Sequence, residues 1–211
     1  MSRRRQLEKQ EEVRNTILEV ARSIISQEGV QGLSIRKITS ELDYSPAIVY
    51  HYFKNKSEII ESIVSEGYGR IIAAARAVKI NDTHPEKELK EMFTNYIRAA
   101  LESPEEYKAI MLNPDPSILK RTALLERGIS EKSPTMQLLG SNIQRGIDVG
   151  KYQACDPELT AQIIWTSTFG LLIKLMLESE VSSDQVERLI ERHLEIVLNG
   201  INLRKEGEMI T

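Results

Sequence analysis

Four side chains that can bind an anion stand close together near residue 50. Tyr50 carries a phenol, His51 an imidazole, and Lys54 and Lys56 each carry an ammonium group. Phenol and ammonium groups donate hydrogen bonds to phosphate oxygens, and an imidazole can bond a phosphate or the edge of a base. The set therefore predicts contact with a phosphate polymer.

These side chains end a segment that predicts helix, tight turn and helix, SIRKITSELDYSPAIVYHYF (residues 34–53). Ser34 is a good N-cap for the first short helix, and Asp43 ends it. Ser45 is an N-cap for the second helix, where Pro46 fits the first position. Because this second helix is only about two turns long, it is not stable alone and must be docked on other helices.

The second helix has two different faces. Val49 and Phe53, four residues apart, supply the docking face, whereas Ala47 and His51 point the opposite way with Ile48 and Tyr50 at the margins. Two short helices joined by a tight turn, the second with an exposed polar and aromatic face, predict a helix-turn-helix that reads the major groove of double-stranded DNA.

The candidate DNA-binding residues lie on both helices and just after them. We expect phosphate contacts from the phenol and the lysines, while the small Ala47 permits close approach and can touch a thymine methyl group. Arg36 and Thr39 are expected on the outer side of the first helix, near the DNA backbone, although Arg36 is equally well explained as a solvated charge. The set is Ser34, Arg36, Thr39, Ser45, Pro46, Ala47, Tyr50, His51, Lys54 and Lys56.

Composition and charge agree with a helical DNA binder. Of the 211 residues, 41% are apolar and 28% are charged, and the paucity of Gly, Pro and aromatic residues predicts an all-α fold. The net charge of −3 is uneven, at +3 for residues 1–57 and −6 for the remainder. One cysteine, Cys155, excludes an internal disulfide and fits a reducing cytoplasm. No secretory signal or membrane span is expected.

Helices are expected on both sides of the central segment. The first runs from about Lys9 to Gln27, after an arm of residues 1–8 that we expect to be disordered. Another long helix, opened by Asn55 and Glu58, extends to about Val78. It begins beside the reading helix and ends well outside it, as a lever would.

This N-terminal region resembles the DNA-binding domain of the tetracycline-repressor (TetR) family over about residues 9–70. Its most specific part is YHYFKNK (residues 50–56), because that family uses a tyrosine on the reading helix and a lysine at the start of the next helix on phosphates. Two positions depart from the family pattern: Asp43 replaces the usual turn glycine, and Tyr44 a small aliphatic residue. Since Asp tolerates the left-handed conformation, we expect the turn to be intact.

The rest of the chain predicts a helical body. Capping residues followed by proline mark most of its helix starts, which are Ser103-Pro104 with Glu106 completing a capping box, Asp115-Pro116, Ser133-Pro134 and Asp156-Pro157. The predicted helices lie near 85–102, 104–112, 116–128, 134–150, 157–178 and 183–204. The expected domains are residues 1–57 for the arm and helix-turn-helix, 58–80 for the connecting helix, and 81–211 for effector binding and dimerisation.

The last two helices are apolar enough to need a partner. Paired with a symmetry mate they would form a four-helix bundle, and such a homodimer would hold two reading helices about 34–36 Å apart. The predicted interface is Trp165, Phe169, Leu172, Met176, Ile190, Leu194, Val197 and Ile201.

The resemblance also implies a cavity between the long helix and the body, opened by a small hydrophobic or amphipathic effector. Aromatic and Met residues at helical spacing are its candidates, although such residues are more often plain core. They are Met92, Phe93, Tyr96, Tyr107, Met111, Met136 and Trp165.

The resulting hypothesis is a dimeric transcriptional regulator, a repressor released by a small molecule from a pseudo-palindromic operator. The alternative is an architectural or interaction protein that binds DNA without an effector. No phosphate-binding, metalloprotease or nucleophile motif is present, so we expect no catalytic residue and no cofactor. His84 and His193 have no partner at ligand spacing, so no metal site is expected either.

Overall fold

The chain forms ten α-helices over the residues that the computed structural model describes, which are 3–114, 116–178 and 180–202. Over these residues no strand forms, and Tyr152 and Asn202 make a single isolated β-bridge. The fold is therefore all-α, as predicted. The helices are α1 Arg3–Gly32, α2 Ile35–Leu42, α3 Pro46–Tyr52, α4 Lys56–Arg76, α5 Pro85–Glu102, α6 Pro104–Met111, α7 Pro116–Thr122, α8 Pro134–Asp148, α9 Pro157–Leu177 and α10 Ser183–Ile201, with a 3₁₀ turn at Ile129–Glu131.

The helices group into two compact units. The first holds the described residues up to Gly69 together with those from Ser103 to Thr122, and the second holds Arg70–Glu102 and the described residues from Ala123 onward. Helix α4 contributes to both. This grouping puts α6 and α7 with the helix-turn-helix, unlike the predicted domain boundaries, which stay a prediction.

Helix α1 is longer than the sequence predicted. Residues 3–8 are helical, so the expectation of a disordered arm is wrong for them, while residues 1 and 2 lie outside the described part. The helical geometry breaks at Gly29, whose φ of 71° lies in the left-handed region that favours glycine. Ile17, Leu18 and Ala21 are fully buried and form the side of α1 that packs in the first unit.

Helix α6 packs closely on α1 and α4 within the first unit. A side chain at Gly67 would collide with Glu106 and Ile110, so the glycine permits close approach of α6. Arg22 of α1 forms an ion pair with Glu66 and lies 3.6 Å from the Glu106 carboxylate. Glu106 is thus drawn toward α1 and α4. The side chain of Ser103 makes no cap bond, so the capping box predicted for Ser103 and Glu106 is wrong.

The second unit has an apolar core and one buried charge. Glu88 is buried, and both of its carboxylate oxygens accept hydrogen bonds from Arg145, at 2.5 and 2.7 Å. The backbone N–H of Asn81 also donates to Glu88, at 2.7 Å. Because a buried carboxylate needs a cation and hydrogen bonds, these contacts fix the loop before α5 on α8.

The helix predicted near 116–128 ends early, at Thr122, because α9 binds the backbone that follows it. The side-chain amide of Gln162 donates to the carbonyl oxygens of Leu124 and Glu126. The carboxylate of Glu158 accepts from the N–H groups of Gly128 and Ser130, and these bonds lower the pKa of Glu158. These side-chain bonds from α9 hold the segment after Thr122 in its non-helical path.

The capping signals give the other helix starts in the body. Ser133 Oγ accepts from the Met136 N–H, and Asp156 Oδ1 accepts from the Leu159 N–H, as predicted. The predicted cap at Asp115 and the residues beyond Asn202 lie outside the described part. Among the described helices, only α9 is long and apolar enough to cross a membrane, but 44% of its most apolar window is buried within the protein.

Candidate nucleic-acid interface

The turn between α2 and α3 has the geometry that a helix-turn-helix needs. Ser34 Oγ accepts from the Lys37 N–H at 3.2 Å and caps α2. Asp43 ends the helix in the left-handed conformation, with φ 52° and ψ 38°, and the next N–H, of Tyr44, donates to Thr39 O at 3.0 Å. The expectation that Asp replaces the turn glycine without disrupting the turn is confirmed.

Helix α3 is docked by one side and exposed on the other. Val49 and Phe53 are fully buried, whereas Ala47 and His51 are exposed and Tyr50 is 54% exposed. The His51 ring also lies edge-on to Tyr52, with ring centres 5.0 Å apart. The side chains that could touch DNA are therefore fixed in position by a rigid two-turn helix.

A capping interaction at the start of α4 fixes the backbone that carries the two lysines. Asn55 Oδ1 accepts from the Glu58 N–H at 3.0 Å, and the Glu58 carboxylate accepts from the Lys54 N–H at 2.6 Å. The Lys54 side chain is exposed and that of Lys56 is half-buried. The cap by Asn55 is as predicted, but the return bond from Glu58 goes to the N–H of Lys54 and not to that of the cap residue itself.

The site carries cations that are free to meet phosphate. Within the described residues, Arg36, Lys54 and Lys56 form no ion pair, while Lys37 pairs with Glu28. Unpaired cations beside an exposed helix face are the arrangement that phosphate contacts require.

Two of the predicted contact residues differ from expectation. Thr39 is only 7% exposed, and its hydroxyl donates to Arg36 O at 2.9 Å, so its expected place on the outer side of α2 is wrong. Ser45 is the N-cap of α3 but makes no side-chain cap bond. Ile48, expected at the margin of the outward face, is an exposed apolar side chain on α3, as predicted. The DNA-binding roles of the ten candidates stay predictions.

A small apolar cavity lies in the second unit. It has a volume of about 20 Å³, which is room for roughly one water molecule. Four of the predicted pocket residues line it, namely Met92, Phe93, Tyr96 and Trp165. The tilted rings of Tyr96 and Trp165 have centres 6.2 Å apart.

The other three predicted pocket residues lie elsewhere. Tyr107 and Met111 belong to α6 in the first unit, and Met136 is fully buried without lining the cavity. Periodicity could not assign these residues to one packing unit or another. The walls also include residues that sequence reasoning did not name, which are Ile72, Ala75, Arg76, Thr135, Leu138 and Leu139.

The predicted dimer residues of α9 and α10 are mostly core. Six of them are buried and only Phe169 and Val197 are half-buried, so as an exposed interface the set is wrong. The large apolar side chains that are exposed on these helices are Leu159, Ile163, Leu177, Leu189 and Ile196. The sequence shows that α9 is apolar on nearly all sides, which predicts exposed apolar side chains on it without deciding which residues they are.

Helices α9 and α10 also share a polar contact. The Thr168 hydroxyl donates to Ile164 O at 2.9 Å and lies 2.9 Å from His193 Nε2. With its one proton on Ile164 O, the Thr168 hydroxyl can accept a hydrogen bond from the Nε2-protonated tautomer of His193. Burial lowers the pKa of His193. His84 lies 2.9 Å from Glu86, and within the described residues no three His, Cys, Asp or Glu side chains are grouped to hold a metal ion.

The helix-turn-helix matches a known family. Residues 17–63 match the family described as bacterial regulatory proteins, tetR family. An HTH-type transcriptional regulator of Staphylococcus aureus (strain bovine RF122 / ET3-1), SAB2452, is 27% identical over 86 residues, which are 41% of this chain and 46% of the relative. The matched segment spans about half the length of that relative, and the predicted absence of catalysis agrees with its name.

Solved structures resemble the chain over nearly its full length. A tetR-family regulatory protein from Rhodococcus RHA1 is 21% identical with a TM-score of 0.71, covering 92% of this chain and 98% of the other. SmeT, the repressor of the Stenotrophomonas maltophilia multidrug efflux pump SmeDEF, is 21% identical with a TM-score of 0.70 and 93% coverage of each chain. SmeT in complex with triclosan is 22% identical, with a TM-score of 0.66 and 94% coverage of each.

At these identities the structures show a common fold. The family match at residues 17–63 covers α2, α3 and the start of α4, where the docked helix and its exposed face lie. The helix-turn-helix of residues 17–63 therefore belongs to the TetR family of bacterial regulatory proteins, and the chain as a whole shares the fold of solved tetR-family proteins.

Proposed function

We propose that the chain is a dimeric DNA-binding transcriptional regulator, a repressor that a small molecule releases from its operator. The observation that carries the proposal is the face of α3. Ala47, Tyr50 and His51 are exposed on a helix docked through fully buried side chains. Beside it lie Lys54 and Lys56, neither of which forms an ion pair with a described residue. A rigid helix that presents small, aromatic and polar groups between cations suits a major groove.

The exposed apolar side chains of α9 and α10 support a homodimer. On α9, Ile163 and Leu177 are both more than half exposed, and the exposed Ser167, Gly170 and Lys174 lie between them on the same stripe, with Lys174 paired to Glu178. Small residues in such a stripe let a second helix approach closely, and the apolar ends would be covered by it. A symmetric pair then presents two copies of α3 to a pseudo-palindromic operator.

The cavity of the second unit supports a small-molecule effector. Its walls are aromatic and apolar, and three residues at the end of α4 contribute to it. A ligand larger than a water molecule would have to enlarge the cavity and so displace that end of α4. SmeT, which has the same fold, is known in complex with triclosan. An effector releases the protein from DNA only if its affinity for the form that cannot bind DNA exceeds its affinity for the form that binds DNA.

Selection of bound duplexes from a random pool tests the proposal. We expect a pseudo-palindromic consensus and an affinity that falls steeply as salt rises, since each neutralised phosphate releases counterions. Failure to bind any duplex at low salt would refute it. A consensus consisting of a single half-site would refute the symmetric dimer.

One observation favours a second function, a DNA-binding interaction protein without an effector. The cavity volume of about 20 Å³ is far below the roughly 300–1,000 Å³ of ordinary ligand pockets. Native mass spectrometry of the purified protein, with thermal shifts across a metabolite panel, separates the two. A bound or stabilising small molecule supports the repressor, and an empty protein with no shift supports the alternative.

A further inference from the structure

A cleft in the first unit is distinct from the exposed face of α3. Its volume is about 590 Å³, within the roughly 300–1,000 Å³ typical of small-molecule pockets. Its walls come from the end of α1, the start of α4, and α6 with the residues that follow it as far as Ile118. It is thus large enough to hold an organic ligand.

The walls of this cleft are held in place without a ligand. Gly67 allows α6 to lie close to α4, and Arg22 of α1 pairs with Glu66 of α4 and lies near Glu106 of α6. Three helices that form the cleft are therefore joined by packing and by charge. A preformed site loses little conformational entropy when a ligand binds.

The cleft combines an apolar floor with two lysines, of which Lys108 is ion-paired and Lys56 forms no ion pair with a described residue. Ile60, Ala109 and Ile118 are buried in its floor, and Leu112 is 53% exposed at its edge. Lys108 forms an ion pair with Glu105, which also lines the cleft.

Lys56 lines the cleft and forms no ion pair with any described residue. The carboxylate of Glu61 also lines the cleft. A carboxylate there disfavours a second anionic group in the occupant.

We propose that this cleft binds a small amphipathic molecule with a single anionic group, which Lys56 holds while the apolar body packs on Ile60, Ala109 and Leu112. Because Lys56 is also a predicted phosphate contact, the occupant and DNA would compete for the same ammonium group. Only that consequence rests on the proposed function. Binding in the cleft does not.

Titration of the full chain with anilinonaphthalene sulfonate, an aromatic monoanion whose fluorescence rises in apolar sites, tests the proposal without DNA. We expect saturable binding that weakens about tenfold in Lys56→Glu, since a charge-assisted contact is lost and repulsion replaces it. Leu112→Glu should weaken it similarly by placing a charge on the apolar edge.

Two matched variants locate the dye. Leu119 is 47% exposed on α7 and does not line the cleft, so Leu119→Glu should leave the affinity unchanged. Thr135 lines the cavity of the second unit in the first turn of α8, where an acidic residue suits a helix, so Thr135→Glu reports any dye that binds in that cavity instead of the cleft. No saturable binding, or loss in Thr135→Glu with the cleft variants unchanged, would overturn the proposal. Circular dichroism melting confirms that each variant is folded.

Discussion

The guanidinium carbon of Arg14 in α1 lies 5.2 Å from the centre of the Phe53 ring, at the residue where α3 ends. The same guanidinium donates to Ser62 Oγ of α4 at 3.1 Å. One side chain of α1 therefore contacts the anchor of the reading helix and the helix that follows it. The position of α3 depends on α1 as much as on its own sequence.

Arg14→Ala should lower the free energy of unfolding by about 1–2 kcal/mol, because it removes the cation–π contact with Phe53, the hydrogen bond to Ser62 and the 3.7 Å ion pair with Glu66 together. Arg4→Ala is the control, since Arg4 pairs with the exposed Glu8 on its own helix and such pairs contribute little. Urea denaturation followed by circular dichroism measures both. Equal effects of the two substitutions would show that the contact with Phe53 does not stabilise the fold.

The turn residue Asp43 can be tested through its backbone conformation. Its φ of 52° is unfavourable for most L-residues by roughly 1–2 kcal/mol, and its side chain is exposed. Asp43→Gly should therefore be as stable as the parent or more stable by up to about 1 kcal/mol, whereas Asp43→Val should lose about 1–2 kcal/mol. Thermal unfolding of the three proteins measures the order. A valine variant as stable as the glycine variant would contradict the turn geometry.

The half-buried His193, between α9 and α10, predicts a pH dependence of stability. Burial lowers the pKa of His193, so the unfolded chain, with an ordinary histidine pKa of 6.5, binds the proton more readily. The free energy of unfolding should consequently fall as pH drops below about 6.5 and level off below the folded-state pKa.

His193→Gln keeps a donor toward Thr168 but cannot titrate in this range. Denaturation midpoints at a series of pH values should show a shallower decline in the variant than in the parent. If the two declines coincide, His193 is not the group that makes acid destabilising.

The exposed stripe on α9 predicts where a dimer would be broken. Ile163 is 63% exposed, and Ile163→Glu should shift the protein to monomers by placing two charges against each other across an apolar interface. Leu119→Glu, on an exposed apolar residue of α7 in the first unit, should leave the oligomeric state unchanged. Sedimentation equilibrium distinguishes them. A parent protein that is monomeric at micromolar concentration would contradict the dimer itself.

Local signals in the sequence predicted most of the helices and the reading face. The start of α3 follows from Pro46, its two faces follow from the four-residue spacing of Val49 and Phe53, and the opening of α4 follows from Asn55 with Glu58. Each of these is decided within a few residues of the chain. The end of α7 is not decided locally. It depends on Gln162, a residue of α9 whose side-chain amide donates to the carbonyl oxygen of Leu124.

The sequence does not decide which body residues line the cavity and which are exposed, because these positions depend on contacts between distant helices. Trp165 and Ile163 lie two positions apart on a helix that is apolar all round, and only packing decides that the first is core and the second exposed. Tyr107 was assigned to the cavity on type and spacing, although its helix packs in the other unit. Periodicity gives the faces of a helix, and the partner that covers each face is a property of the tertiary structure.

The central claim is that the exposed face of α3 reads DNA while its flanking groups hold the phosphate backbone. Its most direct test is the affinity of Tyr50→Phe, Lys56→Ala and His51→Ala for the selected duplex and for a scrambled one. The first two should lose about fivefold to tenfold on both duplexes, whereas His51→Ala should lose affinity for the selected duplex and leave the scrambled one nearly unchanged. Equal losses on both duplexes for all three variants would contradict the account.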